Sequence, residues 1–506
     1  MIGQRESLGK AEASFQKLVG FVKGASKSGE LRIDEVEREL FNELLSLGYH
    51  LLEAFAATAG DGDHGETIER EGQTLQRSEK KTKPYRSIFG VLRIERYVYA
   101  TGAKKKVEWA PVDAWLGLPA GEQSYVLEDW MQRMCVKESF AEAVGSLREL
   151  LGVKTSVRAA EVMTRRLADH AESFQEAQAA IPQDTEENIL VLTADGKGVP
   201  MRRPLEQRLQ EHHAATAASE QEPASLAPSP GAPPKPKRLK RGEKRTRKQM
   251  VYIGAVYSIA AFPRTAEDIV NDLRRNQRQA DRPRPQNKRV FAEMTRFRED
   301  EVINGQVQCF ARLAWSAIHR AGADKTLVCL MDGQRSLWEL KESWFGRAVG
   351  ILDIFHVLER LWQVAHAYHG EGSREAEWQV EQHLRLLLEG KVGCVIGLYK
   401  RWLGEHRVKG GGAKTVRETM GYFDNNKQYM KYDEYLAAGY PIGTGVAEGA
   451  CRHFVKDRME LAGMRWEIEG AQAVLSLRAF YLNDQWDEFM IHRIQTEQDA
   501  LYARAA

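Results

Sequence analysis

Cysteine is scarce in this chain: five residues among 506, at positions 135, 309, 329, 394 and 451, with no C-x-x-C pair. That spacing excludes a disulfide framework and a zinc ribbon, and leaves the reduced thiols of a cytoplasmic protein as the expectation. No run of about 18 apolar residues occurs, and the opening MIGQRESLGK is charged with no apolar segment behind it, so neither a membrane span nor a secretory leader is expected. A G-x-x-x-x-G-K-[ST] signature is missing, which argues against a nucleotide-driven motor, and there is no serine or tyrosine recombinase pattern. Net charge is small as well: 73 Lys and Arg against 71 Asp and Glu leave +2, a total that names no partner. What is there is an ordinary globular balance, 43% apolar and 28% charged. The length suits roughly three folded units, each able to bury a core.

Charge is uneven along the chain. Residues 214 to 234 are dominated by Ala, Ser, Pro, Gln and Glu, and 235 to 248 read KPKRLKRGEKRTRK, nine basic residues with one acid. Such composition cannot bury enough apolar surface to offset its ordering entropy, so 205–248 is expected to be a disordered basic linker. Lys237, Arg238, Lys240 and Arg241 are its candidate phosphate contacts. Ahead of it, residues 8 to 57 carry apolar positions at helical spacing, among them Leu40, Phe41, Leu44 and Leu45. Residues 85 to 101 alternate apolar and charged side chains around Gly90, the pattern of a half-exposed hairpin. Residues 138 to 168 predict two short helices about a break at Gly152, the second starting at Thr155 or Ser156. This is a helix-turn-helix candidate with Lys154, Arg158, Arg165 and Arg166 placed for DNA. The GDGDHGE string at 60 to 66 reads as a turn-rich connector.

Chemistry is suggested by a pattern that occurs twice, an apolar run ending in Asp-Gly: ILVLTADG at 189 to 196 and TLVCLMDG at 326 to 333. Continuous apolar runs of this length suit strands covered on both faces, so Asp195 and Asp332 are expected to emerge together at one edge of a sheet. Paired carboxylates supply the hard oxygen ligands that Mg²⁺ needs. A third acid comes from 440 to 466, YPIGTGVAEGACRHFVKDRMELAGMRW, which turns helical after Pro441 with Thr444 as a cap. Glu448, Arg452 and Lys456 share one helical stripe, with the acid toward the metals and Arg452, Lys456 and Arg458 toward a phosphate backbone. Glu460, Glu467 and Glu469 are rival acids. Further strands are expected at 251 to 261 and 349 to 354, and a helical stretch near 291 to 320. The region 357 to 440 is expected to be a helical insertion, in which Tyr399, Lys400, Arg401 and Trp402 either stack on an extruded base or belong to the core.

The order strand, strand, helix, strand, helix, strand, late helix is that of an RNase H-like core. The motifs TADGKGVPM, VYIGAVYSIAAFPRT, CLMDGQRSLW, DIFHVLERLW and the 440 to 466 segment resemble DDE-type bacterial insertion-sequence transposases. Most closely they are similar to the Kra-type group allied to Mutator-like transposases, over roughly 85 to 485. The resemblance implies a catalytic and metal-binding triad of Asp195, Asp332 and Glu448, holding two Mg²⁺ ions for which Mn²⁺ substitutes. It also matches Asp353 and His356 to an auxiliary Asp/Cys and His pair; the residues alone offer Asp353 as a cap for the helix that follows. The family's helical insertions accord with the long spacings, 137 residues from Asp195 to Asp332 and 116 from Asp332 to Glu448.

The fold class expected is therefore α/β, a mixed sheet flanked by helices and interrupted by a helical insertion, behind a mainly helical DNA-binding region. The expected segments are a helical 1–84, a hairpin-bearing 85–125, a helix-turn-helix-like 126–180, a first core part 181–356, the insertion 357–440, a second core part 441–485 and a C-terminal helix or tail 486–506. The implied activity is hydrolysis at terminal inverted repeats followed by strand transfer into target DNA, by a homodimer or larger assembly without membrane contact. Two alternatives stand beside it: a DNA-binding protein without catalysis, and an RNase H-like structure-specific nuclease that does not join ends.

Overall fold

The computed structural model describes residues 2–28, 31–70, 72–102, 105–178, 181–182, 185–202, 248–273, 282–298, 301–322, 324–445, 449, 451–461 and 463–502. The chain divides into two units, residues 1–176 with 484–506, and residues 177–483. Among the described residues no helix is long and apolar enough to cross a membrane.

In the first unit the helical spacing near the N-terminus becomes α1 (Ile2–Ser28) and α2 (Ile33–Ala56). Glu35 takes the Arg32 backbone N–H at 2.8 Å and starts α2. Two hairpins follow: β1 (Thr67–Arg70) with β2 (Gln73–Arg77), and β3 (Lys81–Ser87) with β4 (Gly90–Arg96), with β5 (Tyr99–Ala100) added beside β2. The expected turn at Gly90 is there, at φ +133°, where a side chain would be strained. Leu92 and Ile94 face inward onto Val112 and Leu118, with Leu52 of α2 packed against them.

The expected helix pair is α5 (Phe140–Leu151) and α6 (Val157–Ala168), preceded by α3 (Pro111–Leu116) and α4 (Tyr125–Cys135) and followed by α7 (Ala171–Ala177). Ser139 and Ser156 cap α5 and α6 by accepting the N–H groups of Glu142 and Ala159, and Gly152 ends α5 in the left-handed region at φ +66°. Gln132 of α4 fixes α6 from beneath, donating to the Ala160 carbonyl at 3.1 Å and accepting the Thr164 hydroxyl at 2.6 Å. The C-terminal helix Trp486–Tyr502 belongs to this unit and inserts Phe489 against Phe174.

The second unit is built on a five-stranded mixed sheet. Its strands are β6 (Ile189–Pro200), β7 (Lys248–Ile259), β8 (Gln286–Met294), β11 (Thr326–Met331) and β12 (Val349–Leu352), in the order β12-β11-β6-β7-β8. A small hairpin of β9 (Arg296–Arg298) and β10 (Glu301–Ile303) stands apart. β6, β7 and β8 form an antiparallel meander, whereas β11 is parallel to both β6 and β12. The apolar runs are buried as expected of strands covered on both faces: Leu190, Val191, Val328, Leu330, Ile351 and Leu352 are all inaccessible. Each such side chain contributes about 1.5–3 kcal/mol. The outer edge of β8 is closed by side chains from the helix Ile468–Leu482 and the residue following it. Gln472 accepts from Met294 N–H and donates to Ala292 carbonyl, and Asn483 does the same for Val290.

The helices of this unit are α8 (Ala266–Leu273), α9 (Gly305–Arg320), α10 (Arg335–Phe345), α11 (Ile354–His369), α12 (Arg374–Leu388), α13 (Val392–Gly404), α14 (Gly410–Asn426), α15 (Tyr432–Ala437) and α16 (Ile468–Leu482). The stretch 291–320 is not helical throughout: 291–294 finish β8, and α9 begins only at Gly305, with Asn304 as its cap. Apolar Val290, Phe291, Ala292 and Met294 satisfy either period, and partnering by β7 decides for strand. Helices α11 to α15 occupy the region read as a helical insertion. Tyr399 and Trp402 are buried there, 0% and 7% exposed, which places both in the core and leaves no ring open for a base. The linker residues Lys237, Arg238, Lys240 and Arg241 lie outside the described residues; Lys248 already belongs to β7.

Candidate active site

Register puts the acids together. Ala194 of β6, Met331 of β11 and Leu352 of β12 form the last rung across three parallel neighbours. One residue further along each strand stand Asp195, Asp332 and Asp353, on the opposite face from that rung. The backbone N–H of Asp353 donates to the Met331 carbonyl at 2.9 Å and holds this next step in line. Three aspartates thus stand at one level on adjacent strands, roughly 5 Å apart strand to strand. Asp332 and Asp353 come directly after β11 and β12, and Asp195 stands partway along β6, which does not end at the Asp-Gly as the apolar run suggested but continues to Pro200 beside β7.

Their environments differ. Asp353 is fully buried and has every acceptor position used. Its Oδ1 accepts the N–H groups of Phe355 and Thr444 at 3.2 and 3.0 Å; its Oδ2 accepts the Thr444 hydroxyl at 2.7 Å and meets His356 Nδ1 at 2.7 Å. It is therefore the cap of α11 read from the sequence, and also a staple. It holds His356 on one side and, on the other, ties down Thr444, four residues before Glu448. Ile354 N–H to the Ile442 carbonyl, 2.9 Å, is a second tie to the same segment.

Asp332 is partly buried, and only its Oδ1 is occupied among the described residues, by the Gln334 N–H at 2.9 Å. Burial pushes its carboxyl above the ordinary carboxylate range, the backbone hydrogen bond opposes this, and the charge of Asp195 adds to the rise. Asp195 Oδ1 accepts the N–H of Gly196 at 2.7 Å. The imidazole of His356 is pushed up to about 9, first by its hydrogen bond to Asp353 and further by the charges of Asp353, Asp332 and Asp195, against the effect of burial. The ring thus lies in the field of all three acids. Tyr422, from α14, was not found by sequence reasoning. Its ring presses on Gly333, so that a methyl group there would collide with it, and Asp332 raises its phenol further above a value already lifted by burial. Nothing in the sequence signals this, since Tyr422 stands 90 residues from Asp332 in a helix that reads as ordinary packing.

The remaining candidates are placed as follows. Glu448 lies outside the described residues, as does the side chain of Arg452, whose backbone belongs to a π-helical turn at Cys451–Lys456. Lys456 is exposed. Arg458 is not available to DNA: it is inaccessible, with its guanidinium 4.9 Å from the Trp466 ring centroid, a correction that follows from Trp466 folding back over it. Among the rival acids, Glu460 is paired with Lys248 at 2.7 Å and Glu467 with Arg202 at 3.5 Å. In the first unit Arg158 and Arg165 are exposed on α6, whereas Arg166 is committed to Glu128, whose carboxylate is wholly buried. Burying that acid requires a cation, so Arg166 is corrected from a DNA contact to a structural one.

The GDGDHGE loop is closed on itself. Asp61 pairs with Lys80 at 2.9 Å and Asp63 with Arg77 at 2.5 Å, and the Tyr99 hydroxyl accepts His64 N–H and donates to Gly65 carbonyl. Among the described residues no three His, Cys, Asp or Glu side chains are gathered as a metal site. The pair Asp195 and Asp332 nevertheless fits a hard divalent cation, because the two carboxylates crowd each other's charge and, among the described residues, one oxygen of Asp332 meets no donor. No family model matches the chain, and no curated protein matches it.

Proposed function

We propose that the chain is a DDE transposase with an RNase H-like core, cutting DNA at terminal inverted repeats and joining the ends to target DNA. The observation that carries this reading is that Asp195 and Asp332 each follow the last rung, Ala194 with Met331, between adjacent parallel strands, in a sheet whose other strands are an antiparallel pair beside β6 and one parallel strand beside β11. Paired acids completed by a third are the donor set that metal-dependent phosphodiester chemistry uses.

In this reading Asp195, Asp332 and Glu448 would hold Mg²⁺. The metal, when bound, neutralises charge at phosphorus and makes water or a 3′-hydroxyl a better nucleophile. The chain's own groups do the positioning. Gln334 and Gly196 N–H groups fix one oxygen each of Asp332 and Asp195. Asp353 keeps His356 oriented and charged beside them, and through Thr444 it anchors the segment that carries Glu448. The exposed Arg158, Arg165 and Lys456, with Arg452 and the 235–248 run, supply the backbone contacts to double-stranded DNA. Joining two ends calls for a dimer or larger assembly.

The test uses labelled DNA carrying the flanking terminal repeats, with Mg²⁺ or Mn²⁺, and compares the natural chain with Asp332→Asn. Nicking at the repeat boundary and joined product are expected, both reduced by about a hundredfold to a thousandfold in the variant, the scale of one preorganised electrostatic group. Cleavage without joined product would make the protein a nuclease. Equal DNA binding by both with no cutting by either would make it a binding protein.

A further inference from the structure

Resting on that reading, we propose that Arg360 is a positioning residue that binds a phosphate of the DNA strand beside the carboxylate pair. It is presented for this by Tyr422 of the helical insertion. Arg360 stands four residues after His356 on α11, so the two share a face of the helix one turn apart. His356, hydrogen-bonded to Asp353 beside Asp332, lies in the field of Asp195 and Asp332, and Arg360 stands one helical turn beyond that imidazole. Tyr422 joins the two places: its ring abuts Gly333, next to Asp332, and the Arg360 guanidinium carbon lies 5.0 Å from the same ring's centroid.

The guanidinium is held but not consumed. Among the described residues its one hydrogen bond runs from Nη1 to Gln363 Oε1 at 3.2 Å, and no carboxylate pairs with it. A guanidinium has five N–H donors in a planar fork, and stacking on an aromatic ring uses its face while leaving its edges for an oxyanion. The ring also restricts the side chain, so less freedom is lost when a phosphate arrives. A polyanion approaching three adjacent aspartates is repelled unless cations line its path. Besides His356, Arg360 is the group that α11 offers on this face.

The experiment measures binding of a labelled terminal-repeat duplex against KCl concentration, in Ca²⁺, for the natural chain, Arg360→Gln and Arg360→Lys. Single-turnover cleavage in Mg²⁺ is followed alongside. Loss of one phosphate contact makes the slope of log K against log salt shallower by about 0.9. Arg360→Gln is expected to show that change, and Arg360→Lys to keep the natural slope with weaker binding. An uncharged methylphosphonate at the contacted position should weaken the natural chain and leave Arg360→Gln unaffected. Natural slope and natural cleavage rate in a folded Arg360→Gln would overturn the proposal, as would a Lys variant that behaves like Gln. If the natural chain neither cuts nor joins, the transposase reading falls, while the salt slope still decides the phosphate contact.

Discussion

At the scale of single residues, the glycine of the second Asp-Gly carries a requirement that its partner in the first does not show in the same form. Gly333 has no room for a Cβ because the Tyr422 ring occupies that space. Gly333→Ala must move either the turn after Asp332 or α14, and overpacking of this kind costs about 1–3 kcal/mol. The cost should vanish where the ring is gone. In a double-mutant cycle read by chemical unfolding, Gly333→Ala is expected to destabilise the natural chain but to be near neutral beside Tyr422→Ala; equal effects in both backgrounds would contradict the contact. The same residues mark the limit of the sequence. Asp332 and the Asp353 cap are legible because strand ends and caps are local patterns, whereas Asp195 reads as a strand end only because Gly196 and Gly198 interrupt the apolar run, and pairing with β7 carries β6 on to Pro200. Tyr422 and Arg360 are not legible, since their nearness to Asp332 arises from the packing of α11 and α14. Arg166 and Arg458 misled for the converse reason, as a basic residue looks alike whether it meets solvent, a buried acid or a tryptophan face.

At the scale of elements, apolar periodicity identified the strands that carry the acids and the helices between Leu358 and Gly439, but it misjudged 291–294, where a short apolar run fits both periods and only pairing with β7 decides. Among these helices one side chain gives a pH-dependent handle. His383 of α12 is 5% exposed, its Nδ1 lies 3.0 Å from the Tyr399 hydroxyl of α13, and burial lowers its value to about 4. The folded state therefore favours the neutral ring. Its contribution is whole above the unfolded value of about 6.5 and is lost as pH falls through 6.5 toward 4, reaching about 3 kcal/mol when both states have titrated. Unfolding midpoints measured from pH 7 to pH 4 should fall more steeply for the natural chain than for His383→Gln. Parallel curves would show that His383 is not the group responsible.

At the scale of the whole molecule, the chain returns at its end to the unit in which it began, an arrangement no local pattern announces. The C-terminal helix enters the first unit with Arg493, wholly buried, at 2.6 Å from the equally buried Glu128 of α4 and 2.8 Å from Glu497. Arg166 meets the same Glu128 from α6, so one buried carboxylate is held by cations from two elements, one of them more than three hundred residues away in sequence. Closing so long a loop costs conformational entropy, and the ion pairs with the Phe489 and Trp486 contacts must offset it. Breaking a buried pair by deleting one partner leaves an uncompensated charge and costs about 3–5 kcal/mol, whereas apolar replacement of both partners is often neutral. Arg493→Met is accordingly expected to destabilise the first unit by less than that amount, because Arg166 still meets Glu128, and Arg493→Met with Glu128→Leu to recover part of it, Arg166 then being left without its acid. Hydrogen exchange followed separately over 1–176 and 177–483 should show the loss of protection confined to the first unit. Loss spread evenly through both, or a double variant no better than the single one, would mean that this buried cluster does not set the stability of the unit that the C-terminal helix completes.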